Sequence, residues 1–235
     1  MKNLIIFGLF IIALIMVQFA HGQTVEDVLE KYINASGGKE KLATLNSIRM
    51  EGSMSVQGAD VIIINTRMHN LGSRTDISVM GTENYQIVTP AAGWIFMPIF
   101  GQAAPQPMPD DQLKADQLLI DLHGSLVNFK DKGTKVELAG KETVDAIECY
   151  KLKVTSKNGN ITDYYIDTKT NHLYKTSTKA IVNGEETDAY TIFSNYKQNA
   201  DGYWFAYTTA TSRGEINYDK ILTNIKVDEN IFKAN

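Results

Sequence analysis

From Thr134 to the C-terminus, short runs of alternating apolar and polar residues follow one another almost without a gap. They read "KVEL", "AIECYKLKV", "TDYYID", "LYKTSTKAIV", "ETDAYTIFSNY", "YWFAYTTAT" and "EINYDKILTNIKV". A period of two with β-branched and aromatic residues is the pattern of half-buried strands. Asn158-Gly159, Asn183-Gly184 and Asp201-Gly202 stand between several of these runs, and such dipeptides accept the positive φ of tight hairpins, so successive strands are antiparallel neighbours. The same signal occurs upstream, where Ile48, Met50, Met54 and Val56 alternate and "VIIINTRMH", "TDISVM" and "NYQIV" follow. The pattern predicts an α+β, mainly β domain: one long antiparallel meander of about eleven strands.

A sheet of this width accumulates twist and has to curl, which leaves a concave face in need of a cover. Two helical patterns are available. Thr24 is placed to cap a helix, with Asp27 in the capping-box position, and Val25, Val28, Leu29, Tyr32 and Ile33 fall on one face before Gly37-Gly38 ends it. A short turn of helix in "KEKLATLNS" follows, presenting Leu42, Leu45 and Ile48. The other pattern interrupts the strands: Leu113, Ala115, Leu118, Leu119, Leu122 and Leu126 recur at helical spacing behind Asp110-Asp111, acids that suit a helix N-terminus.

The first 22 residues read as an export signal. Lys2 supplies the positive end, Leu4 to Val17 is unbroken apolar sequence, and Ala20-His21-Gly22 offers small residues for cleavage. The apolar run is shorter than the roughly 18 residues of a membrane span. The expectation is an exported, periplasmic protein beginning near Gln23, with residues 23–235 as one domain and no transmembrane anchor. Lys and Arg number 23 against 27 Asp and Glu, and the basic residues are scattered, which argues against a nucleic-acid partner. Cys149 is the single cysteine; it lies in a strand pattern and is expected to be a buried small hydrophobe.

Catalytic signatures are missing. The sequence contains no GxSxG elbow, no phosphate loop of the GxxxxGK[ST] type and no HExxH pair. His69, His123 and His172 are about 50 residues apart, unlike the close spacing of many metal ligands, and are read as surface or internally satisfied side chains. The chain is therefore expected to be no enzyme and to need no metal or cofactor.

All five prolines fall between Pro90 and Pro109, in and beside "GWIFMPIFGQAAPQPMPDDQL". Proline cannot donate to a ladder, so this stretch is no interior strand, yet Trp94, Phe96, Met97, Ile99, Phe100 and Met108 need shelter from water. A rigid flap folded onto the sheet meets both demands. The methionines beyond residue 22 are Met50, Met54, Met68, Met80, Met97 and Met108, all in the early strands and this flap, and flexible Met surfaces suit apolar binding as well as plain core packing.

Taken together, "GWIFMP" with its proline loop, "GGKEKL" after the first helix, "YYIDTKTNHLYK", "TIFSNYKQNADGYWFAYTTAT" and the closing "ILTNIKVDENIFKAN" resemble the outer-membrane lipoprotein carrier (LolA/LolB-like) superfamily, in an uncharacterised exported branch. The resemblance spans the chain after the signal. It implies an unclosed half-barrel whose apolar hollow is covered by helices and holds lipid or the acyl chains of lipoproteins. It also implies that Gly93, Trp94, Phe96 and Pro98 mark the lid and the cavity mouth. In the carrier proper an arginine near the early strands latches the lid; Arg67 and Arg74 lie in the matching part of this chain, with His69 between them.

The resulting expectation is a periplasmic carrier or chaperone for lipid or the acylated end of a lipoprotein. Trp94, Phe96, Met97, Ile99, Phe100 and Met108 would form its lid side, with Met50, Met54 and Met68 on the wall. The alternative is an envelope sensor or protein-interaction module on the same fold, with an envelope protein as partner.

Overall fold

The computed structural model describes residues 23–182 and 185–234; the expected export signal and the Asn183-Gly184 turn lie outside the described residues. Helix α1, Val25–Ala35, opens as its sequence requires: Thr24 Oγ1 accepts from the Asp27 N–H at 3.2 Å, and Asp27 accepts from the Thr24 N–H at 2.9 Å. It stops where Gly38, at φ 91°, donates back to Ile33 O. A one-turn helix α2, Lys39–Ala43, follows.

Among the described residues, thirteen strands then form one antiparallel sheet that does not close into a barrel. They are β1 Ser47–Val56, β2 Ala59–Met68, β3 Gly72–Val79, β4 Thr82–Val88, β5 Gly93–Phe96, β6 Gln106–Pro107, β7 Lys135–Val144, β8 Ile147–Thr155, β9 Ile161–Asp167, β10 Leu173–Val182, β11 Glu185–Gln198, β12 Trp204–Thr211 and β13 Gly214–Thr223. The count slightly exceeds the expected eleven. Part of the excess is β6, two residues at the sheet margin where Pro107 pairs opposite Trp94; an edge position is where a proline is tolerated.

The strand order departs from a single meander. It runs β6-β5-β4-β3-β2-β1-β13-β12-β11-β10-β9-β8-β7. The first and last strands therefore meet in the middle, with Ile48 opposite Thr223 and Met50 opposite Ile221. Each half of the chain is a meander of its own, and β6 and β7 become the two free edges. The segment joining them, residues 108–134, has to cross from one edge to the other.

That segment contains helix α3, Asp110–Asp116, a 3₁₀ turn over Gln117–Ile120, and then a chain of turns. The expected helix through Leu126 is thus cut short, with Gly124 at φ 79° among the residues that break it. The leucine spacing had merged two destinations. Leu113 and Ile120 pack with Val88, Met108 and Ile95 near the β6 edge. Leu126 packs with Val28 and Leu29 of α1 and with Val136, Tyr150, Leu152, Val154 and Ile166 of β7–β9. The latter cluster is the larger core, and Cys149, fully buried nearby in β8, has its thiol pKa pushed up to about 11, first by burial and then by Asp167.

Among the described residues no helix is long and apolar enough to cross a membrane.

Candidate functional site

Directly paired residues of antiparallel strands share a face, which allows the covered face to be read from register. Ile48, Arg67, Ser73, Val88 and Gly93 form one row across β1 to β5. The next row is Met50, Asn65, Thr75, Gln86 and Ile95, and beyond it come Ile63 with Ile77, then Met54, Val61 and Val79. The cover lies on this face: a Cβ added to Gly93 would meet Leu113 Cδ1 at 2.9 Å and Met108 Cβ at 3.1 Å. Glycine is needed there because α3 presses that close.

The flap residues divide. Met108 is buried under the cover with Ile95 as its neighbour. Trp94 and Phe96 alternate to the reverse face, opposite Ile87 and Tyr85, and the Phe96 ring lies 5.3 Å from that of Tyr85. Met97 follows the strand end and its N–H donates to Gln102 Oε1 at 2.7 Å. Ile99 and Phe100 sit on a 3₁₀ turn, Pro98–Phe100, with Phe100 83 % exposed. Buried Asn84 holds this turn, accepting from the Ile99 N–H while its own amide donates to Ile77 O and Thr82 O. Of the wall methionines, Met50 and Met54 share the covered face, whereas Met68, paired with Ser47 and Gly72, points to the other. The structure therefore brings Met50, Met54 and Met108 to one face and leaves Trp94, Phe96 and Met68 on the opposite one.

Residues that the apolar pattern did not single out complete the site. The Arg67 guanidinium stands in the row beneath the cover, and its Nε is buried with no hydrogen-bond partner. Burial pulls its pKa down, while the Tyr218 hydroxyl and the Asp116 carboxylate of α3 act in the opposite direction. Asp116 is itself pushed above the usual carboxylate range by burial, against the bond from Gln112. Asn65 donates to Thr75 Oγ1 at 2.6 Å and leaves its Oδ1 buried without a partner. The covered face is thus mixed: apolar residues share it with Arg67, Asn65, Ser73, Thr75, Gln86, Asn84 and Thr82, and the hydrogen-bonding capacity of Arg67 and Asn65 is not filled. Arg74 points to the reverse face, bonded to Asp76 at 2.7 Å and lying 4.4 Å from the Tyr85 ring, so of the two arginines Arg67 is the one on the covered face. Arginine in an otherwise apolar, alternating run was the available sequence signal.

On the reverse face, the C-terminal 3₁₀ turn Glu229–Phe232 lies against β3, with the Phe232 ring close over Gly72. A cleft of about 910 Å³ opens beside it, lined by Leu71, Thr89, Lys226, Val227 and Phe232 among others.

A sheet of this width, open at both edges, with the first and last strands of the chain, β1 and β13, paired in its middle, matches solved structures over most of the chain. A DUF1329 family protein from Desulfovibrio piger superposes with a TM-score of 0.58 at 15 % identity, covering 90 % of this chain and 98 % of that one. The fold is LolA-like. A LolA superfamily protein from Nitrosomonas europaea gives 0.53 at 14 % identity, with coverage of 90 % and 98 %. A putative outer membrane lipoprotein-sorting protein domain from Vibrio parahaemolyticus gives 0.52 at 15 % identity, with coverage of 88 % and 94 %. No family model and no curated protein matches the sequence itself. At these identities the LolA-like fold is what is shared, and the chemistry has to be argued from the residues.

Proposed function

We propose that this LolA-like protein is an exported, periplasmic carrier that takes a lipid, or the acylated end of a lipoprotein, onto the face beneath α3. The observation that carries the reading is the mismatch under the cover. Met50, Met54, Ile77 and Val79 on that face are incompletely buried, while Met108, Leu113 and Ile120 fill the region over Val88. An acyl chain that displaced those cover residues would gain about 0.8 kcal/mol per buried CH₂. The polar end of such a ligand would meet Arg67 Nε and Asn65 Oδ1, which have no other partner. Trp94, Phe96, Ile99 and Phe100 then belong to the mouth and outer surface of the lid rather than to its lining. A hydrolase is disfavoured because the groups that converge here, Arg67, Asn65, Thr75, Ser73 and Asp116, include no histidine to act as general base toward Ser73 or Thr75 and no thiol to act as nucleophile.

The test is native mass spectrometry of protein purified from a periplasmic extract, followed by solvent extraction. A stoichiometric extra mass that leaves on extraction and analyses as lipid is the expected result. A bare chain that also fails to bind fluorescent acyl probes overturns the carrier reading and leaves the sensor or interaction module in its place.

A further inference from the structure

Two segments that are far apart in the chain meet at one corner of the cover. The β2–β3 turn supplies His69, and the turn after Ile120 supplies Asp121 and His123. Backbone bonds fix their meeting: the Asn70 N–H donates to Ile120 O at 2.9 Å and the His69 N–H to Asn46 O at 2.9 Å. The His123 N–H donates to Asp121 Oδ1 at 3.1 Å. The two imidazoles stack, with centroids 3.8 Å apart and planes 18° from parallel. One nitrogen from each ring and one Asp121 oxygen all lie within 4.8 Å of one another.

The hydrogen bonds around His69 define its tautomer. The Leu122 N–H donates to Nδ1 at 3.2 Å, and a nitrogen that accepts carries no proton. The ring hydrogen of the neutral form is therefore on Nε2, which requires the Asn70 amide to be turned over so that its oxygen takes the place of the Nδ2 lying 2.9 Å from Nε2. With Nε2–H held by Asn70, Nδ1 is the nitrogen left to ligate an ion, as in metal sites where a histidine donates its other ring N–H to an acceptor; an ion there takes over the lone pair that accepts from the Leu122 N–H. Here Nδ1 lies 3.7 Å from Asp121 Oδ1. On the opposite ring, His123 Nε2 is buried and has no hydrogen-bond partner.

The geometry points to a binding site for a first-row transition-metal ion of the Zn²⁺ class, held by His69, Asp121 and His123, which staples the cover to the β2–β3 turn. Two imidazoles and one carboxylate suit such an ion and not Ca²⁺ or Mg²⁺, which take oxygen ligands. A tetrahedral ion with bonds of about 2.0–2.1 Å needs its ligand atoms roughly 3.3 Å apart. The rings therefore have to splay from their stack and the ligand atoms to close by up to about 1.5 Å onto the ion. His123 lies in turns rather than in a strand or helix, so that motion breaks no ladder. Lys132 holds the other carboxylate oxygen, Oδ2, and also donates to Gly124 O. It keeps Oδ1 turned toward His69, and its charge opposes a cation, which sets the affinity at a moderate level. The inference does not depend on the lipid reading, since its ligands lie at a corner of the cover and not on the covered face.

The test is calorimetric titration of chelator-treated, tag-free protein with Zn²⁺, together with Co²⁺ substitution read by visible absorption. One ion per chain, intense tetrahedral Co²⁺ bands and a higher melting temperature with metal are expected. His123→Gln and Asp121→Asn should each weaken binding at least tenfold, His172→Gln should leave it unchanged, and Lys132→Gln should strengthen it. The last variant keeps all three ligands, so it remains decisive if a ligand variant folds poorly. Absence of stoichiometric binding, or an affinity that is the same in all four variants, overturns the site.

Discussion

The two halves of the sheet are covered in different ways. Over β7–β9, helix α1 buries Val28 and Leu29 among Leu126, Val136, Tyr150, Leu152, Val154 and Ile166, with Tyr32 and Tyr164 packed partly buried beside them, and burial pushes Tyr32 up to about 12. Over β4 and β5, the cover places Met108 and Ile120 on Val88, with Leu113 and Ile95 half-buried beside them. The first half is the larger core; the second is a smaller cluster on a face that retains a buried, unpartnered guanidinium nitrogen. The difference teaches that one LolA-like sheet can be covered unequally on its two sides, because the two caps bury unequal apolar area; the carrier reading proposed above needs the smaller of the two to be the one that gives way.

The sharpest way to break that contrast is to cut both sides equally. Ile166→Ala, in the fully buried core, should lower global stability by about 3–4 kcal/mol in urea unfolding. Met108→Ala should cost less, about 2 kcal/mol, and appear mainly as faster amide exchange in residues 108–122 with little change in β7–β9. Equal global losses would dissolve the distinction between core and lid. Thr24→Ala removes the α1 capping box and should cost about 1 kcal/mol, read as a matching fall in the denaturation midpoint without a change in acyl-probe binding.

Arg67→Met sharpens the comparison from the other side. Replacing a half-buried charge whose Nε lacks a partner by an apolar residue of similar length should leave stability unchanged or raise it by about 1 kcal/mol, while weakening retention of ligands with an anionic end. A large loss of stability would place Arg67 in the structural framework instead. The smallest effect concerns pH. Burial holds His172 below its ordinary 6.5, where it stacks on Tyr196 at 4.2 Å. Below pH 6.5 the unfolded chain takes up the proton that the folded one refuses, so this histidine lowers stability as the pH falls. Comparing His172→Phe with the parent between pH 7.5 and 5 should show a shallower acid slope in the variant.

Much of this was legible beforehand. The Thr24 and Asp27 cap, the strands flanking Asn158-Gly159 and Asp201-Gly202, and the burial of Cys149 follow from local chemistry. The lining of the site was less so. Trp94 and Phe96 stood out by size, but their neighbours Gly93 and Ile95 are the residues under the cover, because a strand's alternation assigns faces without saying which is the inner one. The leucines from Leu113 to Leu126 carried a helical period that in the fold serves two separate cores. His69 and His123, distant in sequence, stack because backbone bonds dock the cover on the β2–β3 turn.

The amino-acid sequence by itself determined the mainly β class, the antiparallel pairing of successive strands and the helix that opens at Thr24, since each depends on periodicity, turn residues or capping within a few positions. Only the tertiary structure decided that β1 pairs with β13, that Arg67 and not Arg74 lies beneath the cover, and that two distant histidines share one corner. Those outcomes depend on which faces meet across the whole chain, where loop closure and total burial decide and no local pattern carries the information.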